Sequence, residues 1–453
     1  MSERSRPART TDDSDTVYDF IGIGLGPFNL GLAALSAPIS ELNGLFLESS
    51  ARFDWHPGMM LETSTLQVPF LADLVTLADP TSPYSFLNYL KEAGRIYPFY
   101  IRENFNPLRA EYNQYCQWVV AQLPNVRFDS FVDQVTLDDL TGHYRVRLAG
   151  GEVIHTRRLV LGTGTVPSVP PSCTGLPGPV FHNAHYLERK DDLQRKRSIT
   201  IVGGGQSAAE IYYDLLQDAG AHNYHLTWVT RSGRFFPLEY AKLTLEMTSP
   251  EYTAYFQALP ATTRDNLIHD QKNLFKGINE ELINEIYDLL YRQSLDGPVA
   301  TTLLSNSALT SADWNGTEYT LQFTQREQEY DFAVQCDGLV LATGYSAIEP
   351  AFLDGLQLSR DDRGRFQADT DYRIDVRTAS GSQSAAPAMP GAIYVQNAEL
   401  HTHGLVAPDL GMGAFRNSCI IRDMLGWEYY PVESRIAFQH FGAPVPQHSG
   451  ALR

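Results

Sequence analysis

The pattern of apolar and polar residues predicts two strands that each lead directly into a glycine-rich turn and a helix. The first apolar run, residues 17–23, precedes Gly-Leu-Gly-Pro-Phe-Asn at 24–29 and a helix of small residues from 31 onward. This order is typical of the start of a dinucleotide-binding βαβ unit, in which the glycine turn approaches a pyrophosphate. The third glycine of the usual motif is Asn29 in this chain.

The next apolar run supports the same prediction, because residues 44–47 have the pattern of a buried strand and Glu48 follows immediately. A carboxylate at the end of the second strand accepts hydrogen bonds from the ribose hydroxyls of an adenine dinucleotide. We therefore expect the first turn and this acidic residue to belong to one nucleotide site.

A second unit of the same kind begins with the strand at 198–202, which leads into three glycines at 203–205 and a helix. The strand that follows, 225–230, ends at Arg231 and Arg234 rather than at an acidic residue. Guanidinium groups favour the 2′-phosphate of NADP, whereas a carboxylate would favour the free hydroxyl of NAD. The alternative interpretation is a solvated turn with incidental arginines.

Two further apolar strands end in a small residue, a threonine and a glycine, at 158–164 and 337–344. Such strands return from a small β-meander into a nucleotide fold, and the small residues let the backbone approach a cofactor. The predicted fold class is therefore α/β, with two Rossmann-like dinucleotide-binding domains, the second inserted in the first. Residues 238–295 contain few turn breakers and predict a small helical domain.

Composition and charge narrow the class of protein. The chain has 453 residues, 43% of them hydrophobic, and a formal charge of −18, which excludes disorder and argues against a nucleic-acid partner. No apolar run approaches the roughly 20 residues of a membrane span, and the polar N-terminus has no secretory core. We therefore predict a cytoplasmic protein with small-molecule partners and no membrane span.

Two nucleotide sites of different character imply that hydride passes from a nicotinamide to a bound flavin. Three outcomes are then open: disulfide reduction, electron export or oxygen insertion. Disulfide reduction needs a redox cysteine pair, and the four cysteines are far apart in the sequence. Electron export usually needs a metal or partner site that the sequence does not show. Flavin monooxygenation is therefore favoured.

On this interpretation the domain boundaries divide the chain into six segments. They are a disordered N-terminus at 1–16, the first part of an FAD-binding domain at 17–190, the first part of an NADPH-binding domain at 191–237, a helical substrate-binding segment at 238–295, the return of the NADPH-binding domain at 296–340 and the C-terminal part of the FAD-binding domain at 341–453.

Several further motifs occur in an order that resembles one known family. They are Trp55-His56-Pro57-Gly58, Leu66-Gln67, Asp79-Pro80, Gly205-Gln206-Ser207, Ala342-Thr343-Gly344-Tyr345 and His401-Thr402-His403-Gly404. From about residue 17 to about residue 430 the chain resembles the microbial N-hydroxylating flavin monooxygenases, the lysine and ornithine N-hydroxylases of hydroxamate siderophore synthesis. The resemblance implies FAD, NADPH and O₂, with a C4a-hydroperoxyflavin that hydroxylates a terminal primary amine.

The resemblance also implies roles for individual residues. Catalytic contacts fall on Gln67 near the flavin ring and on Gln206 and Ser207 at the nicotinamide nucleotide. The cofactor-binding positions are Gly22, Gly24, Gly26, Pro27, Asn29, Glu48, Trp55, His56, Gln67, Gly203, Gly205, Gln206, Ser207, Arg231, Arg234, Thr343, Gly344 and His403. His401 and His403 look like metal ligands, but the family uses this segment as a wall of the flavin and substrate site, so we expect no metal.

Departures from the family pattern point to the substrate. Ala72 stands where the amino-acid hydroxylases have a lysine that pairs with the substrate carboxylate, and Gly411 stands where they have a serine. Ser249 aligns with an asparagine of the ornithine enzymes. A buried carboxylate without its cation is costly, so these changes predict a substrate without a carboxylate, an aliphatic diamine.

Cadaverine is favoured over putrescine because the segment around Asn273 resembles the lysine-type enzymes, and Asp409 is the candidate acceptor for the distal ammonium. The alternative substrate is L-lysine or L-ornithine, with Lys242 or Lys272 holding the carboxylate. Two other classes are a Baeyer–Villiger or sulfoxidising monooxygenase, whose fingerprint residues 180–185 do not match, and a flavin-binding scaffold without turnover. The family resemblance also implies a homo-oligomer, a dimer or a tetramer.

Overall fold

The computed structural model describes residues 16–376 and 391–444. The N-terminus predicted to be disordered, residues 1–16, lies outside this part of the chain apart from Thr16. The described residues form two mainly parallel sheets, two antiparallel meanders and a helical segment between the sheets.

The first sheet has six strands and contains the first glycine turn at one strand end. In spatial order the strands are Arg373–Ile374, Ile393–Val395, Leu159–Leu161, Phe20–Ile23, Gly44–Leu47 and Val126–Arg127. Every neighbouring pair is parallel except the first. Phe20 packs in a core with helix Pro27–Ser36 on one face, and Ile21 packs against a meander on the other. Because both faces are covered, the strands are continuous apolar runs.

The second sheet has five parallel strands. In spatial order they are Val180–His182, Gly338–Leu341, Ser198–Val202, His225–Val229 and Thr301–Leu304. In the sequence, all of them fall between Leu159–Leu161 and Arg373–Ile374, which are consecutive strands of the first sheet. The second fold is therefore inserted in the first, as predicted.

One strand differs from the predicted boundaries. Val180–His182 falls in the segment assigned to the FAD-binding domain, yet it pairs with Gly338–Leu341 in the second sheet. Three residues are too few for an apolar pattern to reveal their sheet, because only pairing decides it. The remaining domain boundaries stay predictions.

A three-stranded meander precedes the returning strand of each sheet, as the sequence predicts. The first consists of Val132–Leu137, Tyr144–Leu148 and Val153–Thr156, beside Val17–Tyr18, and the second of Ser307–Trp314, Tyr319–Gln325 and Tyr330–Cys336. After the returning strands, Thr165–Pro167 pairs antiparallel with Tyr345–Ala347. This pairing joins the two nucleotide folds next to their glycine turns.

Helices cover both sheets and form the segment between them. The described α-helices are Pro27–Ser36, Phe86–Glu92, Ile96–Arg102, Arg109–Val120, Tyr186–Leu193, Gln206–His222, Lys242–Leu245, Pro250–Ala258, Ala261–Asp270, Glu280–Ser294, Leu400–His403 and Gly413–Leu425. In the predicted helical segment, Pro250–Ala258 packs on Leu400–His403, whereas Glu280–Ser294 packs on Gln206–His222. The segment therefore contacts both nucleotide folds. Among the described helices, none has the length and apolarity needed to cross a membrane.

Candidate active site

A cleft of about 600 Å³ opens where the two glycine turns, residues 55–68, the helical segment and residues 405–410 meet. Its lining includes many of the residues that the sequence singles out, namely Gly26, Pro27, Asn29, Trp55, His56, Gln67, Gln206, Ser207 and Asp409. A volume of this size suits a cofactor or a small organic ligand. The fold thus brings together residues that are far apart in the sequence.

The first glycine turn has the geometry of a phosphate cradle. Gly24 has a φ of +84°, and a Cβ there would lie 2.4 Å from the carbonyl oxygen of Gly162, so only glycine fits. Helix Pro27–Ser36 begins after Gly26, and no described side chain caps it. A Cβ on Gly26 would meet no protein atom within 4 Å. The turn therefore leaves open space and free N–H groups for an anion.

Asn29 replaces the third glycine and braces this turn. Its fully buried side chain donates from Nδ2 to the carbonyl oxygen of Gly24 at 2.7 Å and accepts from Nε2 of Gln396 at 2.7 Å. The Asn29 side chain has room because residue 162 is a glycine. A Cβ on Gly162 would lie 2.3 Å from Asn29 Nδ2. Asn29 therefore holds the backbone that forms the cradle.

Glu48 lies beside the same turn, as its position after the second strand predicts. Its Oε2 accepts a hydrogen bond from the backbone N–H of Leu25 at 2.7 Å, and Oε1 accepts from that of Ser50 at 2.8 Å. These bonds fix the carboxylate at the edge of the turn, where a ribose would follow the pyrophosphate.

The second glycine turn is tied to the helical segment. Helix Gln206–His222 begins after Gly205, and Gln206 accepts from the backbone N–H of Asn279 at 2.8 Å while its Nε2 donates to Glu210 at 2.9 Å. A Cβ on Gly203 would lie 2.1 Å from the carbonyl oxygen of Ala342. The turn is therefore tightly packed, and Gln206 is held in one orientation at the cleft.

A buried ion pair crosses between the two folds, and the sequence alone did not reveal it. Arg109 donates to Glu210 through two bonds, Nη2 to Oε1 at 2.8 Å and Nη1 to Oε2 at 3.1 Å. His56 lies nearby in a left-handed conformation, with a φ of +53°. Burial, and then the positive charge of Arg109, lower the pKa of His56 to about 4. His56 therefore lines the cleft as a neutral ring near neutral pH.

Two cations, Arg231 and Lys276, lie near the second turn, and Arg234 follows three residues after Arg231. In the described part of the chain, Arg231, Arg234 and Lys276 form no ion pair. The carbonyl oxygen of Lys276 lies 3.4 Å from a Cβ built on Gly205, and Ser232 lies against the neighbouring glycine. Burial and the positive charges of Arg231 and Lys272 lower the pKa of Lys276. Sequence analysis missed Lys276, because only the tertiary structure brings it beside Arg231.

Gln67 faces the cleft with an unused hydrogen-bonding group. Its Nε2 is buried without a hydrogen-bond partner among the residues that the structure describes. Its backbone carbonyl oxygen accepts a hydrogen bond from Tyr240 Oη at 2.7 Å. Buried polar groups in native proteins are nearly always paired, so this amide fits a position that a cofactor or substrate completes.

Asp409 lines the cleft, and Ala72 and Gly411 lie beside it. A Cβ on Gly411 would lie 3.1 Å from Asp409 Oδ1 and 3.7 Å from the Cβ of Ala72. Asp409 Oδ1 accepts from the backbone N–H of Gly411 at 2.7 Å, and burial raises the pKa of its carboxyl. Two departures from the family pattern therefore lie beside one partly buried carboxyl group.

Of the five predicted substrate residues, only Asp409 lines the cleft; Ala72 and Gly411 lie beside it, and Ser249 and Asn273 have other contacts. Ser249 is fully buried, caps helix Pro250–Ala258 by accepting from the N–H of Tyr252, and is not among the residues that line the cleft. Thr248, directly before Ser249, and Leu245, at the end of the preceding helix, line the cleft. Asn273 donates to Glu239 at 3.0 Å and is not among the lining residues, whereas Leu274 is.

Four predicted cofactor residues have structural roles instead. Gly22 lies inside a strand, where a Cβ would meet the ring of Phe46 at 2.4 Å. Thr343 Oγ1 donates to the carbonyl oxygen of Ser168, and the Gly344 carbonyl oxygen accepts from the N–H of the same residue at 2.9 Å. These three residues fit strands and loops together beside the cleft without lining it.

His403, the fourth, is completely buried. Its ring stacks on Tyr372 with centroids 4.2 Å apart, and Gln257 Nε2 donates to its Nε2 at 2.7 Å. Burial and the charge of Arg416 lower the pKa of His403 to about 3, so the ring is neutral. It supports the wall of the cleft from behind. No cluster of potential metal ligands occurs in residues 16–376 or 391–444.

A model of the L-lysine 6-monooxygenase/L-ornithine 5-monooxygenase family matches residues 16–347. The chain belongs to this family. It is therefore a flavin-dependent N-monooxygenase of α/β fold with FAD and NADPH as cofactors, as the motifs imply.

Relatives match over nearly the whole chain. A putrescine N-hydroxylase of Shewanella oneidensis is 51% identical over 433 residues, which cover 94% of this chain and 84% of the relative. The FAD-bound cadaverine monooxygenase of the desferrioxamine pathway of Erwinia amylovora is also 51% identical, with a TM-score of 0.90 over 95% of this chain and 100% of that structure. An ornithine N-hydroxylase of Kutzneria sp. 744, with reduced FAD, NADP⁺ and L-ornithine, is 26% identical, with a TM-score of 0.81 over 91% of this chain and 99% of that structure.

Both cofactors fit features that the structure shows. The open space at Gly26 suits a pyrophosphate, and Glu48 is held where it can receive a ribose. The unpaired Nε2 of Gln67 suits a flavin edge, and the unpaired cations near Gly205 suit a 2′-phosphate.

Proposed function

We propose that this enzyme hydroxylates one terminal amine of an aliphatic diamine, cadaverine or putrescine, in hydroxamate siderophore synthesis. The observation that carries the proposal is Asp409, the only carboxylate among the described residues that line the cleft. In the described part of the chain no cation forms an ion pair with it; Arg416, whose positive charge partly offsets the effect of burial on the pKa of Asp409, pairs with Glu399 at 3.1 Å. A buried carboxylate without a counter-ion is costly, and an ammonium ligand would supply the missing charge.

The rest of this end of the cleft suits a hydrocarbon chain. Leucine and phenylalanine side chains line it, namely Leu238, Leu245, Leu274, Phe275, Leu405 and Leu410. Ala72 is buried beside Gly411 and offers no charge to a substrate carboxylate. An amino acid bound here would place its carboxylate near Asp409, where like charges repel, whereas the second ammonium of a diamine would be attracted.

The reaction consumes a neutral amine, O₂, NADPH and one proton, and yields the hydroxylamine, water and NADP⁺. FAD, when bound, supplies the hydride acceptor and the group that activates O₂. The protein positions the two amine ends differently. Asp409 favours the charged form at the distal end, whereas the apolar walls favour the neutral form at the reacting end, since desolvation lowers the pKa of an amine.

The relatives support a diamine and leave its length open. Enzymes described as acting on putrescine and on cadaverine are both 51% identical to this chain, against 26% for the ornithine enzyme. We propose cadaverine on the resemblance around Asn273. Because one methylene group contributes about 0.8 kcal/mol on burial, we expect the preference over putrescine to be about fourfold.

The test compares four amines with the FAD-loaded enzyme. Hydroxylamine formation is measured with cadaverine, putrescine, L-lysine and L-ornithine, each with NADPH consumption. We expect product from the diamines, and Asp409→Asn should raise KM for the diamine at least about 30-fold, since removing one member of a buried charge pair costs about 2–5 kcal/mol.

The matched control is Asp313→Asn, which removes an exposed carboxylate in the second meander and should leave KM unchanged. Product only from lysine or ornithine would instead support the amino-acid hydroxylase, with a carboxylate contact at another cation. An unchanged diamine KM in Asp409→Asn would exclude this residue as the ammonium acceptor.

We also propose a homo-oligomer, supported by an apolar surface on helix Ile96–Arg102. Tyr97, Tyr100 and Ile101 are 74%, 69% and 72% exposed, which is unusual for a patch that stays in water. Light scattering on the purified chain would give its mass directly, and a monomer would contradict the proposal. A cytoplasmic location stays a prediction that cell fractionation would test.

A further inference from the structure

Tyr240 lies on a short segment held firmly by the helical region. The backbone N–H of Leu238 donates to the carbonyl oxygen of Ile278 at 2.7 Å, and the N–H of Ile278 donates to Phe236 at 3.1 Å. Gly277 makes this approach feasible, because a Cβ there would lie 2.5 Å from the Cα of Leu238. The backbone just before Tyr240 is therefore fixed from the opposite side of the segment.

The Tyr240 side chain connects two separate walls of the cleft. Its Oη donates to the backbone carbonyl oxygen of Gln67 at 2.7 Å, although the two residues are 173 positions apart. Asp409 lines the same cleft, and its negative charge, after burial, raises the pKa of the Tyr240 phenol. The phenol is therefore neutral, and it lines the same cleft as Gln67 and the carboxylate proposed to hold the ammonium.

The contact with Gln67 is important because it can orient the amide group of the Gln67 side chain. The buried Nε2 of Gln67 has no partner among the described residues, so its direction depends on how its backbone is held. Tyr240 provides a hydrogen bond to that backbone from outside residues 55–68. Tyr240 as a residue is 37% exposed and lines the cleft, so it also forms part of the surface that a substrate would meet.

We propose that Tyr240 is a positioning residue that links diamine binding at Asp409 to the orientation of Gln67. The proposal rests on the proposed function. When a diamine bridges the cleft, the phenol keeps the ammonium site and the Gln67 amide at a fixed separation, so the neutral amine end is held at the reacting position. Without the hydroxyl, the two walls move independently and water reaches the reacting end.

The consequence is a change in how oxygen is used. In the coupled reaction, NADPH, O₂, one proton and the amine give NADP⁺, hydroxylamine and water. In the uncoupled reaction, NADPH, O₂ and one proton give NADP⁺ and hydrogen peroxide, and the amine is unchanged. Loss of Tyr240 positioning should shift NADPH consumption from the first to the second.

The experiment compares wild type and Tyr240→Phe as FAD-loaded enzymes with cadaverine and with putrescine. We expect the ratio of hydroxylamine to NADPH consumed to fall about threefold to tenfold, the range for one hydrogen bond of about 0.5–1.5 kcal/mol. Peroxide formation without a diamine should be unchanged. A titration that follows the visible spectrum of bound FAD should show weaker diamine binding, which is a readout independent of turnover.

The matched control is Tyr430→Phe, which removes a phenol that donates to the backbone carbonyl oxygen of Leu35 at 2.8 Å, outside the cleft. Tyr430→Phe should lower thermal stability about as much as Tyr240→Phe does, and it should not change the ratio of hydroxylamine formed to NADPH consumed. If both variants keep the wild-type ratio and diamine affinity, Tyr240 is only structural. If wild type does not hydroxylate diamines, the proposed function fails instead, so the two failures are distinguishable.

Discussion

The two glycine turns both connect a strand to a helix, and they have opposite surroundings. Around the first, Asn29 binds the turn internally and Glu48 supplies a carboxylate at its edge. Around the second, Ala208 fills the corresponding position and the unpaired cations Arg231 and Lys276 lie nearby. A helix begins directly after each turn, which suits a pyrophosphate in both cases, whereas the charge beside each turn decides which nucleotide it accepts. The nucleotide that a turn binds and the contacts that stabilise the turn can therefore be tested separately.

The largest effect expected is selective loss of one cofactor. Gly26→Ala adds a methyl group into the open space of the first turn, where the protein has no atom within 4 Å, so the fold should persist. Because that space is where we place the pyrophosphate, FAD content after purification should fall at least about tenfold, as several hydrogen bonds to phosphate are lost. Visible absorbance per chain measures it.

The corresponding substitution in the second turn, Gly205→Ala, should leave FAD binding unchanged. A Cβ on Gly205 would lie 3.4 Å from the carbonyl oxygen of Lys276, so Gly205→Ala is tolerated by the fold while it crowds the second turn. We expect normal FAD content and weaker NADPH binding. If Gly205→Ala removed FAD, or Gly26→Ala kept it, the assignment of the turns would be reversed or wrong.

A smaller effect is expected when a positive charge at the second turn is removed. Lys276→Met removes a cation that faces no acidic partner in the described part of the chain. A charge-assisted hydrogen bond contributes about 1.5–3 kcal/mol, so affinity for NADPH should fall about tenfold or more while affinity for NADH is unchanged. Calorimetric titration with NADP⁺ and NAD⁺ measures the difference.

Lys276→Arg should restore most of the preference, and Lys91→Met, an exposed lysine on helix Phe86–Glu92, should have no effect. An equal loss of affinity for both nucleotides would contradict a 2′-phosphate contact and point to a general disturbance of the turn.

The smallest effect tests the bracing of the first turn. Asn29→Gly restores the residue that the motif normally has, yet it should destabilise the protein by about 1–3 kcal/mol, because Gln396 Nε2 would be left buried and unpaired. Ala208→Gly, the corresponding change in the second turn, should cost only about 0.5–1 kcal/mol, the value for glycine in a helix. Denaturant unfolding of the FAD-loaded enzyme compares them, and equal losses would exclude a special role for Asn29.

The fold was largely predictable because its signals are local. Continuous apolar strands before glycine turns identified both nucleotide units and both returning strands, and the structure confirms them. The edge strand Val180–His182 was assigned to the wrong unit, since pairing with Gly338–Leu341 involves residues far away in the sequence. Short strands depend on their neighbours more than on their own composition.

Some positions of the candidate site were predicted correctly from the sequence, and others were not. Residues on the turns lie at the cleft as expected, whereas Ser249 caps a helix and His403 is stacked behind the wall. A family position shows which residue type occurs, and it does not show which face of a helix the side chain occupies. Thr248, the residue before Ser249, lines the cleft, which shows how a shift of one residue decides whether a side chain reaches it.

The sequence by itself determined the two turns, since a residue such as Gly24 needs a positive φ and the absence of a Cβ, and both are local properties. Only the tertiary structure decided what surrounds them. The Arg109–Glu210 pair, the hydrogen bond from Tyr240 to Gln67 and the grouping of Ala72 with Asp409 all join residues from distant parts of the chain. Such contacts depend on how the inserted fold packs against the first, because charge and burial at a site are set by every element that reaches it.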